Sequence, residues 1–314
     1  MTTSSLVARA LLGLALLFVP LLGCSPAAAV RPQPDAGLAS DAARVDVGPA
    51  DDAALVIDAA SVDGAAPLPA WLLTVGNEDD GAGGYTHRLV ELSLVPGELG
   101  TVSHVLCDNL VFGGPDVPND VVSALTFHEG VLYSNGASGS DPSQPAAALY
   151  RIDICHCTAT RVGDFGADIT FVGAITSYPG RGIYGMAASD DSMFTIDPET
   201  GAGTVVSPVT IDVAAADLTW SGPRRDTLWF ITSVSDTLFE LDDRGQVLTS
   251  LPLHYDFNGL GMAYHPGLDR LFACSNGKIL EIDTTTGDVE VGADTGLSGC
   301  ASLAAPFGDV DCVF

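Results

Sequence analysis

Short runs of alternating apolar and polar residues recur along most of the chain. Each run covers about five residues and ends in Asp and a turn, as in FTIDPETGAG from Phe194 and LEIDTTTGDVEVG from Leu280. A period of two over such a length is typical of a strand with one buried face. The recurring Asp is expected to accept backbone N–H groups in the turn that follows. These residues are Asp153, Asp197, Asp242 and Asp283.

Five copies of one longer unit can be aligned after Trp71. Their first strands are SALTF (123–127), GAITS (173–177), ADLTW (216–220), GLGMAY (259–264) and CASLAA (300–305). Most copies continue with a second strand, the motif described above as a third strand, and a fourth strand. Four antiparallel strands in a repeat of about 40–50 residues predict an all-β fold, a β-propeller whose blades are four-stranded sheets.

The two ends of the repeat region are incomplete in complementary ways. The first copy, which begins WLLTVGN, has no first strand, and the last copy, SGCASLAAPFGD, has little else. We therefore expect the N- and C-terminal strands to share one blade, which leaves no unpaired inner edge. The copies account for five blades, or six if CDNLVFGGPDVPND (107–120) hides a degenerate one.

The repeat is similar to the LYxIDPxTG repeat of secreted bacterial lipoprotein β-propellers in the YVTN and NHL-like group. The similarity covers roughly residues 70–310. It implies the propeller fold and says little about activity, because propellers carry many unrelated functions.

The first 24 residues have the pattern of an export signal. Arg9 precedes an apolar run from Ala10 to Leu22, and the run ends in LLGC. This length suits a signal peptide and is short for a membrane span. LLGC resembles a bacterial lipobox, which implies acylation of Cys24 and anchoring to the outer membrane or cell surface. Simple secretion, giving a periplasmic or secreted protein, is the alternative.

Residues 25–69 are built mainly from Ala, Asp, Pro, Val and Gly and contain no aromatic residue, Glu or Lys. Such a segment buries too little apolar surface to offset its chain entropy. We therefore predict three regions: a lipoprotein signal peptide at 1–24, a disordered tether at 25–69 and a propeller domain at 70–314.

The charge balance narrows the choice of partners. Acidic residues number 40 and basic residues 12, a formal net charge of −28. Nucleic acid is not expected as a partner, because phosphate binding needs clustered Lys and Arg. Membrane contact is expected through the lipid anchor alone. No cofactor is expected, and a divalent cation such as calcium is the ion that this composition would accept.

The antiparallel order places the loops after the second and fourth strands on one face, here called the rim face. These loops are acidic and rich in Asn and Ser, and we expect them to bind a protein or carbohydrate ligand at the cell envelope. The alternative is that the same residue types serve the turns themselves. The candidate binding residues are Asn77, Asp120, Asn135, Asp168, Asp190, Asp236, Asp256, Asn258 and Asn276.

An enzymatic alternative comes from DFNGLGMAYHPGLDRLF (256–272), which resembles a repeat of the gluconolactonase and regucalcin-like propellers. The resemblance implies a divalent metal at Asn258 and a metal-dependent lactonase-like hydrolase. No equivalent early-strand Glu is present, and no GxSxG, HExxH or phosphate-loop motif occurs. A non-catalytic binding or scaffold module is therefore the main hypothesis. An envelope structural protein without a small ligand is a third.

Six cysteines remain after Cys24, and an even number in an exported chain predicts disulfides. Cys274 and Cys300 are expected near one face, and a pair between Cys300 and Cys312 is the competing choice. The sequence Cys155-His156-Cys157 replaces the usual turn of the repeat and would also suit copper or zinc. The disulfide candidates are Cys107, Cys155, Cys157, Cys274, Cys300 and Cys312.

Overall fold

The computed structural model describes residues 70–79, 81, 85–113, 122–136, 147–258, 261–297, 300 and 302–313. The predicted signal peptide, the predicted acylation site Cys24, the predicted tether and Asp120 lie outside these residues. The described part of the chain contains twenty β-strands. It includes no helix with the length and apolarity that a bilayer span requires.

The strands are short, and most of them have five to seven residues. Their bounds are β1 (Trp71–Asp79), β2 (Tyr85–Ser93), β3 (Val102–Cys107), β4 (Val111–Gly113), β5 (Val122–His128), β6 (Val131–Gly136), β7 (Ala148–Asp153), β8 (Thr158–Asp164), β9 (Val172–Tyr178), β10 (Gly182–Ala187), β11 (Ser192–Ile196), β12 (Gly203–Pro208), β13 (Ala216–Trp220), β14 (Leu228–Thr232), β15 (Thr237–Leu241), β16 (Val247–Pro252), β17 (Gly261–His265), β18 (Arg270–Ser275), β19 (Lys278–Ile282) and β20 (Val289–Asp294).

The strands form five antiparallel blades in a ring, which confirms the predicted propeller. Blade 1 contains β1–β3, blade 2 β5–β8, blade 3 β9–β12, blade 4 β13–β16 and blade 5 β17–β20. The first strands of neighbouring blades contact one another, β5 with β9, β9 with β13 and β13 with β17. Residues 302–305 complete blade 1 through an antiparallel bridge between Leu73 and Ala304.

The stretch considered for a sixth blade has another role, and the alternative of six blades is wrong. Its residues Val111–Gly113 form β4, which runs parallel to β8 along the outer edge of blade 2. Three residues pair with a free strand edge and satisfy its backbone groups, but they are too few to build a sheet.

Burial decreases from the centre of each blade outward, and the residue pattern follows it. In blade 4 the first strand, ADLTW, is buried throughout, whereas most residues of the outermost strand, VLTSLP, are exposed. The third-strand Asp residues have the predicted role in turns. Asp197 accepts the backbone N–H groups of residues 199 and 200, and Asp283 accepts those of residues 285 and 286. Asp153 and Asp242 act in the same way.

All six cysteines of the propeller form disulfides. Cys107 pairs with Cys157, Cys155 with Cys312 and Cys274 with Cys300, at Cα–Cα distances of 5.6, 5.3 and 5.8 Å. The pairing of Cys300 with Cys312 is therefore wrong. The metal alternative for residues 155–157 is also wrong here, because both cysteines are oxidised and neither offers a thiolate. Three disulfides indicate an oxidising compartment, as in extracellular and periplasmic proteins.

Candidate functional site

Two of the predicted rim residues join neighbouring blades. The Asn77 side chain donates to the carbonyl of Val122 and accepts its N–H, both at 3.1 Å, so that blade 1 is bonded to the first strand of blade 2. Asn135, which is fully buried, donates to the carbonyl of Val172 at 2.9 Å and to Ser123 Oγ at 2.8 Å. These amides supply bonds between sheets that are not otherwise paired at these positions.

The other described rim residues act in turns or lie exposed. Asp236 accepts the N–H of Phe257 at 2.9 Å, and Asp190 accepts the hydroxyl of Ser192 at 2.7 Å. Asn276 has a left-handed backbone conformation, with φ of 52°, which Asn tolerates better than most residues. Asp168, Asp256 and Asn258 are exposed. A ligand-binding role for the rim residues stays a prediction.

Asn258 is the residue at which the sequence resemblance predicts a metal. Its backbone N–H donates to Ser275 Oγ at 2.8 Å, and its carbonyl accepts from the same hydroxyl at 3.3 Å. Among the described residues there is no group of three or more His, Cys, Asp or Glu side chains that could hold a metal. A metal at Asn258 stays a prediction.

A cleft of about 690 Å³ lies on the opposite face, between blades 4 and 5. We call it the 4–5 cleft. Its polar wall comes from the β13–β14 hairpin and from the start of β18, and the half-buried Val289 and the core residues Leu271 and Ile282 lie at its base. The residues that define the cleft are Arg224, Arg225, Trp229, Tyr264, Asp269 and Arg270.

The hairpin that forms one wall departs from the repeat. β13 ends at Trp220 and β14 begins at Leu228, which leaves seven residues, SGPRRDT, between them. The corresponding hairpins of blades 2, 3 and 5 have two, three and four residues. The extra length brings Arg224 and Arg225, two of the 12 basic residues of the chain, to the cleft.

Gly222 lets this hairpin pack against blade 5. Its φ is +93°, and a Cβ at this position would lie 2.4 Å from Cζ of the Tyr264 ring. Only glycine combines this backbone conformation with so close an approach. The hairpin is thereby held against the aromatic ring that forms part of the cleft.

One carboxylate organises the mouth of the cleft. Asp269, at a left-handed φ of 54°, accepts the hydroxyl proton of Tyr264 at 2.6 Å and an ion-paired N–H from Arg224. Burial raises the pKa of the Tyr264 hydroxyl, and the neighbouring Asp269 raises it further. Tyr264 therefore stays a neutral hydrogen-bond donor. The Arg224 side chain is 82% exposed and pairs with Asp269, whose carboxylate is hydrogen-bonded to Tyr264.

Arg225 is positioned by stacking and by a chain of hydrogen bonds. Its guanidinium carbon lies 4.9 Å from the centre of the Trp229 ring, a cation–π geometry. Its Nη1 donates to the largely buried Glu240 at 3.3 Å. Glu240 also accepts the hydroxyl of Thr227 at 2.8 Å, so the carboxylate itself is held in place.

Blade 5 contributes further charges of both signs. Arg270 donates to Glu281 at 3.1 Å. Backbone N–H groups of residues 285 and 286 lower the pKa of Asp283, and a hydrogen bond from His254 lowers the pKa of Asp288. These carboxylates are therefore ionised at neutral pH, and the cleft presents charged donors and acceptors side by side.

A second cleft, of about 570 Å³, lies on the same face of blade 2. Arg151, Asp153 and His156 line it together with Asp309 and Asp311 of the C-terminal segment. The disulfide between Cys155 and Cys312 fixes that segment to the blade. None of the described rim residues lines either cleft.

The residues of the 4–5 cleft were not predicted as binding residues from the sequence. The candidate binding residues were all taken from the rim face. The signal was present in the spacing, since the loop after ADLTW is longer than its counterparts and holds two adjacent arginines.

No family model matches the chain, and no curated protein shows significant sequence similarity to it. The fold is similar to several solved structures. One is a protein of unknown function from Bacteroides thetaiotaomicron VPI-5482, at 12% identity and a TM-score of 0.48, over 74% of this chain and 61% of that one. The chain thus spans less than two thirds of that protein.

Two further similar structures come from proteins of other kinds. One is a nidogen/laminin complex, at 14% identity and a TM-score of 0.47, over 76% of this chain and 82% of that one. Another is a catalytically inactive virginiamycin B lyase from Staphylococcus aureus with quinupristin, at 13% identity and a TM-score of 0.44, over 75% of each chain. Similarities of this size concern the fold and carry no information about the ligand of this chain.

Proposed function

We propose that this protein is an exported binding module whose propeller holds a ligand in the 4–5 cleft. The observation that supports the proposal is the seven-residue β13–β14 hairpin, which departs from the repeat and forms a wall of that cleft. In repeat proteins each unit serves mainly to pack against its neighbours, and insertions in single units commonly form the binding surface.

The side chains of the cleft are held in place before a ligand arrives. Arg225 is fixed by Trp229 and Glu240, and the largely exposed Arg224 pairs with Asp269. Side chains that are already ordered lose less conformational entropy on binding, which favours affinity. The volume of the cleft lies within the range of roughly 300–1,000 Å³ typical of small-molecule sites.

We propose a location outside the cytoplasm, with anchoring at the outer membrane or cell surface. The three disulfides and the export pattern of residues 1–24 support export. The lipobox-like LLGC supports acylation of Cys24, followed by a tether over residues 25–69 that would extend the propeller from the membrane. Incorporation of labelled fatty acid into the wild type and its loss in Cys24→Ser would test the anchor.

The binding proposal is tested by a thermal-shift screen of neutral oligosaccharides, acidic oligosaccharides, short peptides and small carboxylic acids. At least one class should raise the melting temperature of the wild type and fail to do so in the double variant Arg224→Ala/Arg225→Ala. Arg161→Ala is the matched control, because Arg161 forms a comparable exposed pair with Asp164 away from the cleft. A ligand that stabilises all three proteins equally, or no stabilising ligand, would contradict the proposal.

A further inference from the structure

We infer that the ligand of the 4–5 cleft is a neutral, polyhydroxylated molecule, a carbohydrate rather than an ion. This inference rests on the proposed function, since it names the class of ligand for the same cleft. The observation that supports it is that charged donors and acceptors alternate along the cleft wall.

The donors and acceptors of the cleft occur as adjacent pairs. Arg224 lies against Asp269, and Arg270 donates to Glu281 at 3.1 Å. In each of these two contacts one guanidinium nitrogen is engaged, while a guanidinium offers five N–H donors and a carboxylate several acceptor positions. A sugar hydroxyl both donates and accepts, so a single hydroxyl can bond to the two members of one pair at once.

The charge of the lining argues against an ionic ligand. Three arginines face the cleft together with the five carboxylates of Asp269, Glu281, Asp283, Asp288 and Glu290. An anion would meet this local excess of negative charge as well as the net charge of −28 of the chain. A cation would be attracted by this excess, but it would have to displace the guanidinium groups that already pair with Asp269 and Glu281. A neutral ligand meets no charge repulsion and leaves these pairs intact.

The apolar lining suits the same class. Val289 is half-buried among the polar groups, whereas Leu271 and Ile282 lie beneath them in the core and are 1% and 3% exposed. Sugar rings present C–H groups on their faces and hydroxyls around their edges, so they match a surface that is aliphatic at Val289 and hydrogen-bonding around it. The buried Trp229 is covered by Arg225 and supports that guanidinium. We therefore expect the ligand to contact the arginine rather than the indole ring.

The test is calorimetric titration of the full chain carrying Cys24→Ser with maltotriose, cellotriose, chitotriose, trigalacturonate and chitosan trimer, in low and high salt. At least one neutral trisaccharide should bind, and its Kd should change by less than about twofold between the two salt concentrations, because no net ionic contact is formed. Arg225→Ala should weaken that binding by about tenfold or more. Arg161→Ala should leave it unchanged.

The outcomes separate the ligand class from the proposed function. Binding of only the acidic or the cationic trimer, or a steep salt dependence, would overturn the inference of a neutral ligand while the cleft variants still support binding there. A neutral sugar whose affinity is the same in the wild type and in Arg225→Ala would overturn the site. Absence of any binding at millimolar concentrations would overturn the inference. Arg225→Lys keeps the charge and loses the planar fork of the guanidinium. If this variant folds and also binds the sugar more weakly, the weaker binding of Arg225→Ala is not due to misfolding alone.

Discussion

Leu73 and Ala304 exchange two backbone hydrogen bonds, each with an N···O distance of 2.9 Å. Leu73 belongs to β1 in the first blade, whereas Ala304 comes after the fifth blade along the chain. The hydroxyl of Thr74 adds a bond of 2.7 Å to the carbonyl of Ser302. The ring is therefore closed by residues 302–305, which give blade 1 its innermost strand.

We predict that removal of this strand abolishes cooperative folding. A chain that ends at Gly296 leaves the inner edge of β1 unpaired and exposes Leu72 and Leu73, which are fully buried in the closed ring. A chain that ends at Ala305 keeps the bridge and should still unfold in one transition. Calorimetric melting curves of the two truncated chains measure the difference.

The two truncated chains need matched cysteines. Both carry Cys155→Ser and Cys274→Ser, and the longer chain also carries Cys300→Ser, so that neither has an unpaired thiol in the propeller. Equal melting temperatures for the two would contradict closure by residues 302–305.

The disulfide between Cys155 and Cys312 should contribute strongly to stability. It spans 157 positions, and the loop-entropy model gives about 5 kcal/mol for a loop of that length. Both cysteines are exposed, so Cys155→Ser/Cys312→Ser should cost little in packing. We expect the double variant to lower the free energy of unfolding by several kcal/mol in denaturant titrations.

A thiol titration is the control for this experiment. The protein with Cys24→Ser should show no free thiol in denaturant without reductant. The double variant should give the same result, because its two remaining pairs are intact. If the free energy of unfolding falls by less than about 1 kcal/mol in the double variant, the disulfide between Cys155 and Cys312 hardly restricts the unfolded chain.

The sequence predicted the fold because the strand pattern is local. Alternation within five residues and a turn Asp after each third strand are decided by neighbouring residues, and both recur in several copies. The cleft depends on contacts between blades, such as Tyr264 with Asp269 and Arg224 with Asp269. No periodic pattern marks these contacts. Asn77 and Asn135 were predicted as binding residues from their place in the rim loops, and their bonds to the next blade could not be read from the sequence.

Substitution of Gly222 should disturb the 4–5 cleft. A Cβ would lie 2.4 Å from the Tyr264 ring, so the β13–β14 hairpin has to move away from blade 5 in Gly222→Ala. We expect a loss of stability above that of backbone strain alone, which is on the order of 1–2 kcal/mol for a left-handed alanine. The shift should also weaken any ligand bound to Arg224 and Arg225. Thermal melting and ligand titration measure the two effects.

Gly180→Ala is the matched control for this variant. Gly180 lies in the β9–β10 hairpin with φ of +76°, and no atom lies within 4 Å of the position that a Cβ would take there. It should show the backbone cost without the clash. If both variants lose the same stability and bind ligand equally, the contact between Gly222 and Tyr264 does not shape the cleft.

Asp217 should make the stability of the propeller depend on pH in an unusual direction. It is buried between blades 4 and 5, where its oxygens accept the N–H groups of Leu218 at 2.8 Å and Met262 at 2.5 Å. Burial raises the pKa of this carboxyl well above its usual value, and the two hydrogen bonds oppose that shift only in part. The folded protein therefore keeps a proton that the unfolded chain releases near pH 4.

The sign of the effect follows from this difference. The contribution of Asp217 is complete below about pH 4 and is lost as the pH rises through the higher folded value. Asp217→Asn cannot titrate, so the melting temperature of the wild type minus that of the variant should fall between pH 4 and pH 8. Asp197 and Asp283, whose pKa values are lowered by backbone N–H groups, act in the opposite direction in both proteins and cancel in the difference. The exposed Asp168→Asn serves as the control, and a difference that stays constant with pH for Asp217→Asn would show that the buried carboxyl is ionised throughout.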